Sequence, residues 1–110
     1  MHLPNSHRAI VDEAKVRDYL LSSSHPVGRF KSVFFHSLGF SRNNWETLRG
    51  SLLELARSAD AVPGQPSPFG QKFEIHATLQ GSLGRSASVV TVWMVSEGQD
   101  FAHFVTAFPG

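Results

Sequence analysis

The sequence contains no cysteine, which excludes disulfides, thiol catalysis and zinc sites built on Cys. Any metal site would have to use histidine and carboxylate ligands. Long apolar runs are also missing: no stretch approaches the roughly 18 consecutive apolar residues of a membrane helix. The opening residues, MHLPNSHR, lack the basic-then-apolar order of a signal peptide, so a cytoplasmic protein with no membrane partner is expected. An excess of one charge is absent as well. Ten Lys and Arg face nine Asp and Glu, a formal charge of +1, so no global field recruits nucleic acid or an acidic membrane surface. Residues 1–62 carry eight basic and six acidic side chains, against two and three in residues 63–110, so any basic patch belongs to the first part.

What is present is the composition of an ordinary globular domain, 41% hydrophobic and 17% charged over 110 residues. A chain this long buries about two-thirds of its unfolded surface, enough for one core and a single domain spanning residues 1–110. No internal repeat or low-complexity tract occurs. The one break in composition is AVPGQPSPFG, Ala61–Gly70, where three of the six prolines fall within six residues. It reads as a Pro/Gly-rich linker between a helical part, 1–60, and an antiparallel sheet, 71–108.

Before the break the apolar period is helical. Asp12 to Leu21 places Val16, Tyr19 and Leu20 on one face, and the SSSHP that follows ends the helix. Phe30, Phe34 and Leu38 predict a second helix from Gly28, stopped by Gly39 in a left-handed C′ position with Phe40 as its apolar contact. Ser41 or Asn43 can cap a third helix, Glu46 standing in capping-box spacing to Asn43. Its expected buried stripe is Trp45, Leu48, Leu52, Leu55 and Ala59. Gly50 within it costs about 1 kcal/mol relative to Ala, which suggests close packing or a bend.

After the break the period becomes two. Phe73, Ile75, Ala77 and Leu79 alternate with Lys72, Glu74, His76, Thr78 and Gln80, a strand with one wet face. SASVVTVWMVS, residues 86–96, is apolar on both faces and reads as central; EGQD turns the chain into FAHFVTAF. His7 to Val11 is β-compatible and a candidate fourth strand. The fold class is therefore α+β, about three N-terminal helices packed on a C-terminal antiparallel sheet of three to four strands.

The segment least like scaffolding is HPVGRFK, His25 to Lys31. Free N–H groups at the start of the second helix would point into the same space as His25, Arg29 and Lys31, a combination that suits a phosphate. His25 adds general acid or base chemistry near neutral pH. The bland reading is a helix breaker beside two solvated cations. His76 and His103 on neighbouring strands suit a metal or an acid–base pair, but no HxH, HExxH or acidic cluster accompanies them. Thr91 and Trp93 share a face of the central strand, with Thr106 on its neighbour, where a hydroxyl can serve as a transition-state donor or simply pack. His36 lies in an apolar helix, as a hydrogen-bonded packing residue would. Neither GxSxG nor GxxxxGK[ST] occurs.

The ordered set LPNSHRAIVDEAKVRDYLLSSSHPVGRFKSVFFHSLGF, NWETLRGSLLELA, TVWMVSEGQDF and FVTAFPG resembles a widespread bacterial family classed as a domain of unknown function. The YLL-ending first helix followed by HPxGxxK is also similar to C-terminal domains of bacterial polymorphic toxins of the barnase, EndoU and RelE group of metal-independent RNases. That resemblance implies a barnase/RelE-like fold, no cofactor, and RNA or a cognate antitoxin, immunity or toxin protein as partner. Carried onto this chain, it gives His25 and Lys31 the acid–base or phosphate role, Arg29 the phosphate charge, and Thr91 or Thr106 a supporting hydroxyl. The expected function is a toxin-type ribonuclease. The alternative is a non-catalytic binding module, such as an immunity or toxin–antitoxin accessory protein.

Overall fold

The computed structural model describes residues 1–82 and 84–110. A helical turn, α1 (Glu13–Lys15), runs directly into a π-helical segment, Val16–Leu20, closed by a bond from the Leu21 N–H to the Val16 carbonyl at 2.9 Å. Helix α2 (Arg29–Ser37) and helix α3 (Trp45–Ser58) follow, then strands β1 (Val62–Ser67), β2 (Gly70–Gln80), β3 (Ser86–Ser96) and β4 (His103–Pro109). The strands form one antiparallel sheet in the order β1-β2-β3-β4. Helices first and an antiparallel sheet after is the α+β order that the change of period from 3.6 to 2 implies.

Two readings of the strands need correction. The Pro/Gly-rich segment is not only a linker, because Val62–Ser67 pairs with β2 as an outer strand. Proline has no N–H to give a ladder, and an edge strand needs its N–H groups on one side only, so Pro63 and Pro66 are tolerated there. A register shift falls between them. His7 to Val11 does not form a strand; it contributes a single parallel bridge, Ile10 against His103.

Helix α2 is also turned from its expected face. Of its expected face Leu38 is buried and Phe34 packs partly buried against the core, but Phe30 is 72% exposed, while Ser32 and Phe35 are buried instead. At its C-terminal end Gly39 does adopt the left-handed region, φ +93°, and Phe40 is buried beside it. The capping box before α3 is made by Ser41 and Asn44, with no part for Glu46: the Ser41 N–H donates to Asn44 Oδ1 at 2.7 Å. Leu48, Leu52 and Ala56 form the buried stripe of α3. Gly50 is exposed, and a side chain there would meet nothing within 4 Å, so close packing does not account for it.

The helices cover one sheet face. Pairing aligns Phe73, Trp93 and Phe104 across three strands and Ile75, Thr91 and Ala107 beside them. The apolar members of these rows join Val16, Leu20, Phe35, Phe40, Leu48 and Leu52 in one core. Burying a side chain of this size stabilises by about 1.5–3 kcal/mol relative to leaving it exposed, so this cluster is what holds the helical part on the sheet. Trp93 and Phe104 meet edge to face, centroids 5.3 Å apart.

Candidate functional site

The π segment, the start of α2 and the outer strand β4 converge on three polar groups. Lys31 Nζ donates to Tyr19 Oη at 2.7 Å and to Thr106 Oγ1 at 2.8 Å, and the two hydroxyls lie 3.0 Å apart. Each corner comes from a different element. Tyr19 sits in the π segment, whose wider turn buries Val16, Leu20 and Leu21 and leaves Tyr19 at the rim. Thr106 follows a bulge: Val92 pairs with Thr106 but Trp93 pairs with Phe104, so Val105 is an extra residue that turns the end of β4. Lys31 stands in the first turns of α2, pressed close because Gly28 lacks a side chain. A Cβ on Gly28 would lie 1.9 Å from the Tyr19 carbonyl oxygen.

Burial raises the Tyr19 phenol, but hydrogen bonds from Lys31 and Thr106 and the charges of Lys31 and Lys15 outweigh it, holding the group below its ordinary value of 10.0. Both ammonium groups also face the ring, Lys31 at 5.1 Å and Lys15 at 5.6 Å from its centroid. Tyr19 and Thr106 line an open groove of about 680 Å³, together with Lys15, Asp18, His25 and Val27. Asp18 is neutralised from the side. A hydrogen bond from Arg17 lowers its carboxyl against the opposing effect of burial, and Arg42 adds a second at 2.9 Å.

His25 flanks the triangle, its ring meeting Tyr19 edge-on at 5.1 Å. Its Nδ1 accepts the backbone N–H groups of Val27 (3.0 Å) and Gly28 (2.9 Å), so the neutral ring carries its proton on Nε2 and offers a donor. A free base nitrogen is therefore not what His25 presents. The expected anion site at the helix start is not there either. The Arg29 N–H is taken by the His25 carbonyl, that of Phe30 by Val27, and those of Lys31 and Ser32 by Gly28.

The sequence candidates separate into two groups. His25, Lys31 and Thr106 come together. Arg29 is exposed beyond the groove, its guanidinium 4.7 Å from the ring centre of Phe30. Thr91 is fully buried on the helix-facing side, where it accepts the Trp93 indole N–H at 2.9 Å; it packs, and no substrate reaches it. His76 pairs with Glu74 at 3.1 Å and His103 with Gln99 at 3.0 Å. Their partners on β3, Val90 and Met94, are four residues apart, about 13 Å along a strand, so the two do not share a ligand. Among the described residues no group of three or more His, Asp or Glu could hold a metal ion. His36 hydrogen-bonds the Leu21 carbonyl at 3.1 Å.

Tyr19 and Lys15 are the residues that sequence reasoning missed. Tyr19 is the sole tyrosine of the chain, and a half-buried phenol needs a hydroxyl partner; that was the available signal.

Comparison with known proteins bears on the fold. The chain is similar to one chain of a contact-dependent growth inhibition toxin–immunity protein complex from Klebsiella pneumoniae 342, with a TM-score of 0.72 over 92% of this chain and 99% of that one. At 17% identity the likeness is one of fold alone. No curated protein matches. Over residues 2–110, essentially the whole architecture described above, the sequence fits one family model, and the chain belongs to that family, Domain of unknown function (DUF6883).

Proposed function

We propose that this protein is a toxin-type endoribonuclease working without a metal, centred on Tyr19, Lys31 and Thr106 with His25 beside them. The observation that carries the reading is the Lys31 ammonium held at 2.7 and 2.8 Å by two hydroxyls that line an open groove, Thr106 and the Tyr19 phenol, the latter lowered from its ordinary value. Such a set suits transfer within RNA. Tyr19 as phenolate takes the proton of a ribose 2′-hydroxyl, and the 2′-oxygen attacks the adjacent phosphorus as the bond to the 5′-oxygen breaks. Lys31 and the His25 Nε2–H steady the charge on the phosphoryl oxygens, and Lys31 gives the leaving oxygen its proton. The products are a 2′,3′-cyclic phosphate and a 5′-hydroxyl. Thr106 orients the phenol, and Arg29 meets a flanking phosphate. Support also comes from a fold shared with a chain of a toxin–immunity protein complex.

Expression of the wild type in a bacterium should arrest growth and fragment RNA. Tyr19→Phe and the double variant His25→Ala plus Lys31→Ala should do neither. Equal growth and intact RNA in all three cultures rejects the proposal.

One observation favours a second reading. The three groups already satisfy one another, as a pin between the helices and β4 would. A non-catalytic module, such as an immunity or toxin–antitoxin accessory protein, would leave RNA intact and protect cells from a cognate toxin.

A further inference from the structure

The edges of the sheet are guarded unequally. Along β1 stand Pro63, Pro66 and a register shift, which blunt a strand edge against further pairing. The start of β4 is taken by Ile10, whose N–H reaches the Ala102 carbonyl at 3.0 Å and whose carbonyl accepts the Phe104 N–H at 2.8 Å. Strand β2 is different. Strand β1 pairs with it only as far as Glu74, opposite Val62. From Ile75 to Gln80 it pairs with β3 on one side and, among the described residues, with no backbone on the other. Alternate residues of an antiparallel strand direct both N–H and C=O to the same side, so about three of these six offer a donor and an acceptor to open space. No proline, lysine or bulge interrupts them.

Beside this edge lies a groove of about 400 Å³, walled by Thr78, Leu79 and Gln80 and by Thr47, Gly50, Ser51 and Glu54 of α3. The α3 positions follow the i, i+3, i+4, i+7 spacing of one helix face. Gly50 costs its helix about 1 kcal/mol and, with nothing within 4 Å of a would-be Cβ, is repaid by no contact inside the protein. Its effect is to keep the groove open.

We infer that this edge and groove receive an extended segment of another protein, added to the sheet as a further strand beside β2. The backbone groups of Ile75–Gln80 specify an extended chain, because only that geometry returns N–H and C=O every second residue. The bare surface at Gly50 leaves room for an apolar side chain of the incoming strand, and Glu54 at the wall favours a lysine or arginine on it. A second copy pairing edge to edge would bring Ile75–Gln80 itself, which contains no lysine or arginine for Glu54. This proposal stands independently of the nuclease reading.

The probe is a synthetic octapeptide alternating valine and threonine with one central arginine, titrated to about 1 mM into isotope-labelled full-length protein while amide spectra and hydrogen exchange are followed. Shifts and slowed exchange confined to Ile75–Gln80 and the facing turns of α3 are expected. Glutamate in place of the arginine should weaken binding about tenfold, as should Gly50→Leu, which fills the groove while leaving the fold at least as stable. No shift at the highest concentration, binding that Gly50→Leu leaves unchanged, or a concentration-dependent dimer covering the same amides would each overturn the proposal.

Discussion

Replacing Lys31 by methionine isolates what the ammonium does, because the stem stays and only the charged head goes. Two charge-assisted hydrogen bonds disappear, at 2.7 Å to Tyr19 and 2.8 Å to Thr106, while the 3.0 Å bond between the two hydroxyls remains. Each lost bond is worth about 1.5–3 kcal/mol where water is excluded. The cluster is only partly buried, so screening brings the pair to about 2 kcal/mol, and a domain of this size then melts about 8 °C lower. A second readout is sharper. Tyr19 is the only tyrosine, so phenolate absorbance near 295 nm reports this one group. In the wild type its midpoint should lie below 10.0; in Lys31→Met the burial that opposes the shift remains, and the midpoint should rise. The sign for stability follows. A group lowered on folding stabilises the native state above its unfolded value, and that contribution fades as pH falls through the folded one. Between its lowered midpoint and pH 10, Tyr19 therefore adds stability in the wild type that Lys31→Met lacks. Superimposable absorbance titrations of the two proteins would refute this account of the triangle.

Further substitutions test the surroundings. Thr91→Val should destabilise by about 1–3 kcal/mol in urea denaturation, since it leaves the buried Trp93 indole N–H without an acceptor, and should leave the Tyr19 titration unchanged. His25→Ala removes the acceptor for two backbone N–H groups and should cost about 1 kcal/mol; His25→Asn, which can still accept them, should cost less by the same measurement. Gly28→Ala puts a methyl against the Tyr19 carbonyl and should cost about 1–3 kcal/mol while raising the Tyr19 midpoint, as Lys31 is pushed from the phenol.

The order of elements was legible because hydropathy changes period once, near residue 61. What escaped was decided by context. Proline discouraged a strand at Val62–Ser67, yet an outermost strand does not need every N–H, so a local rule yielded to position in the sheet. The rotation of α2 was hidden differently. Its inward face includes Gly28, Ser32 and Phe35, where small residues bring backbones together and contribute little hydropathy. Phe30 carried an apolar signal for a position that is exposed, while Phe34 packs only partly buried against the core. The same rotation is what aims Lys31 at Tyr19.

The site divides along the same line. Residue chemistry singled out His25 and Lys31 in HPVGRFK, but spacing could not say that the His25 ring would consume the first helical N–H groups rather than share them with an anion. Thr91 and Thr106 were indistinguishable by alternation, because the bulge at Val105 that re-aims Thr106 has no turn residue to announce it. Tyr19 was absorbed into the apolar stripe of a helix whose π turn moves it to the rim.

The sheet order keeps the two surfaces apart. Counting across the sheet, a strand added beside β2 lies three spacings from β4, about 14 Å from the strand that carries Thr106. The bare edge at Ile75–Gln80 and the Tyr19–Lys31–Thr106 groove thus occupy opposite flanks of β3. A narrow occupant of the first has no means of plugging the second. Under the nuclease reading, an inhibitor of the groove would have to contact that flank directly. Val27, which lines the groove with His25, is 54% accessible, and Phe30 and Val33 of α2 are 72% and 73% accessible, apolar ground on which such a contact would form. Under the two proposals, strand addition at one edge and chemistry at the other fall on separate surfaces of this fold.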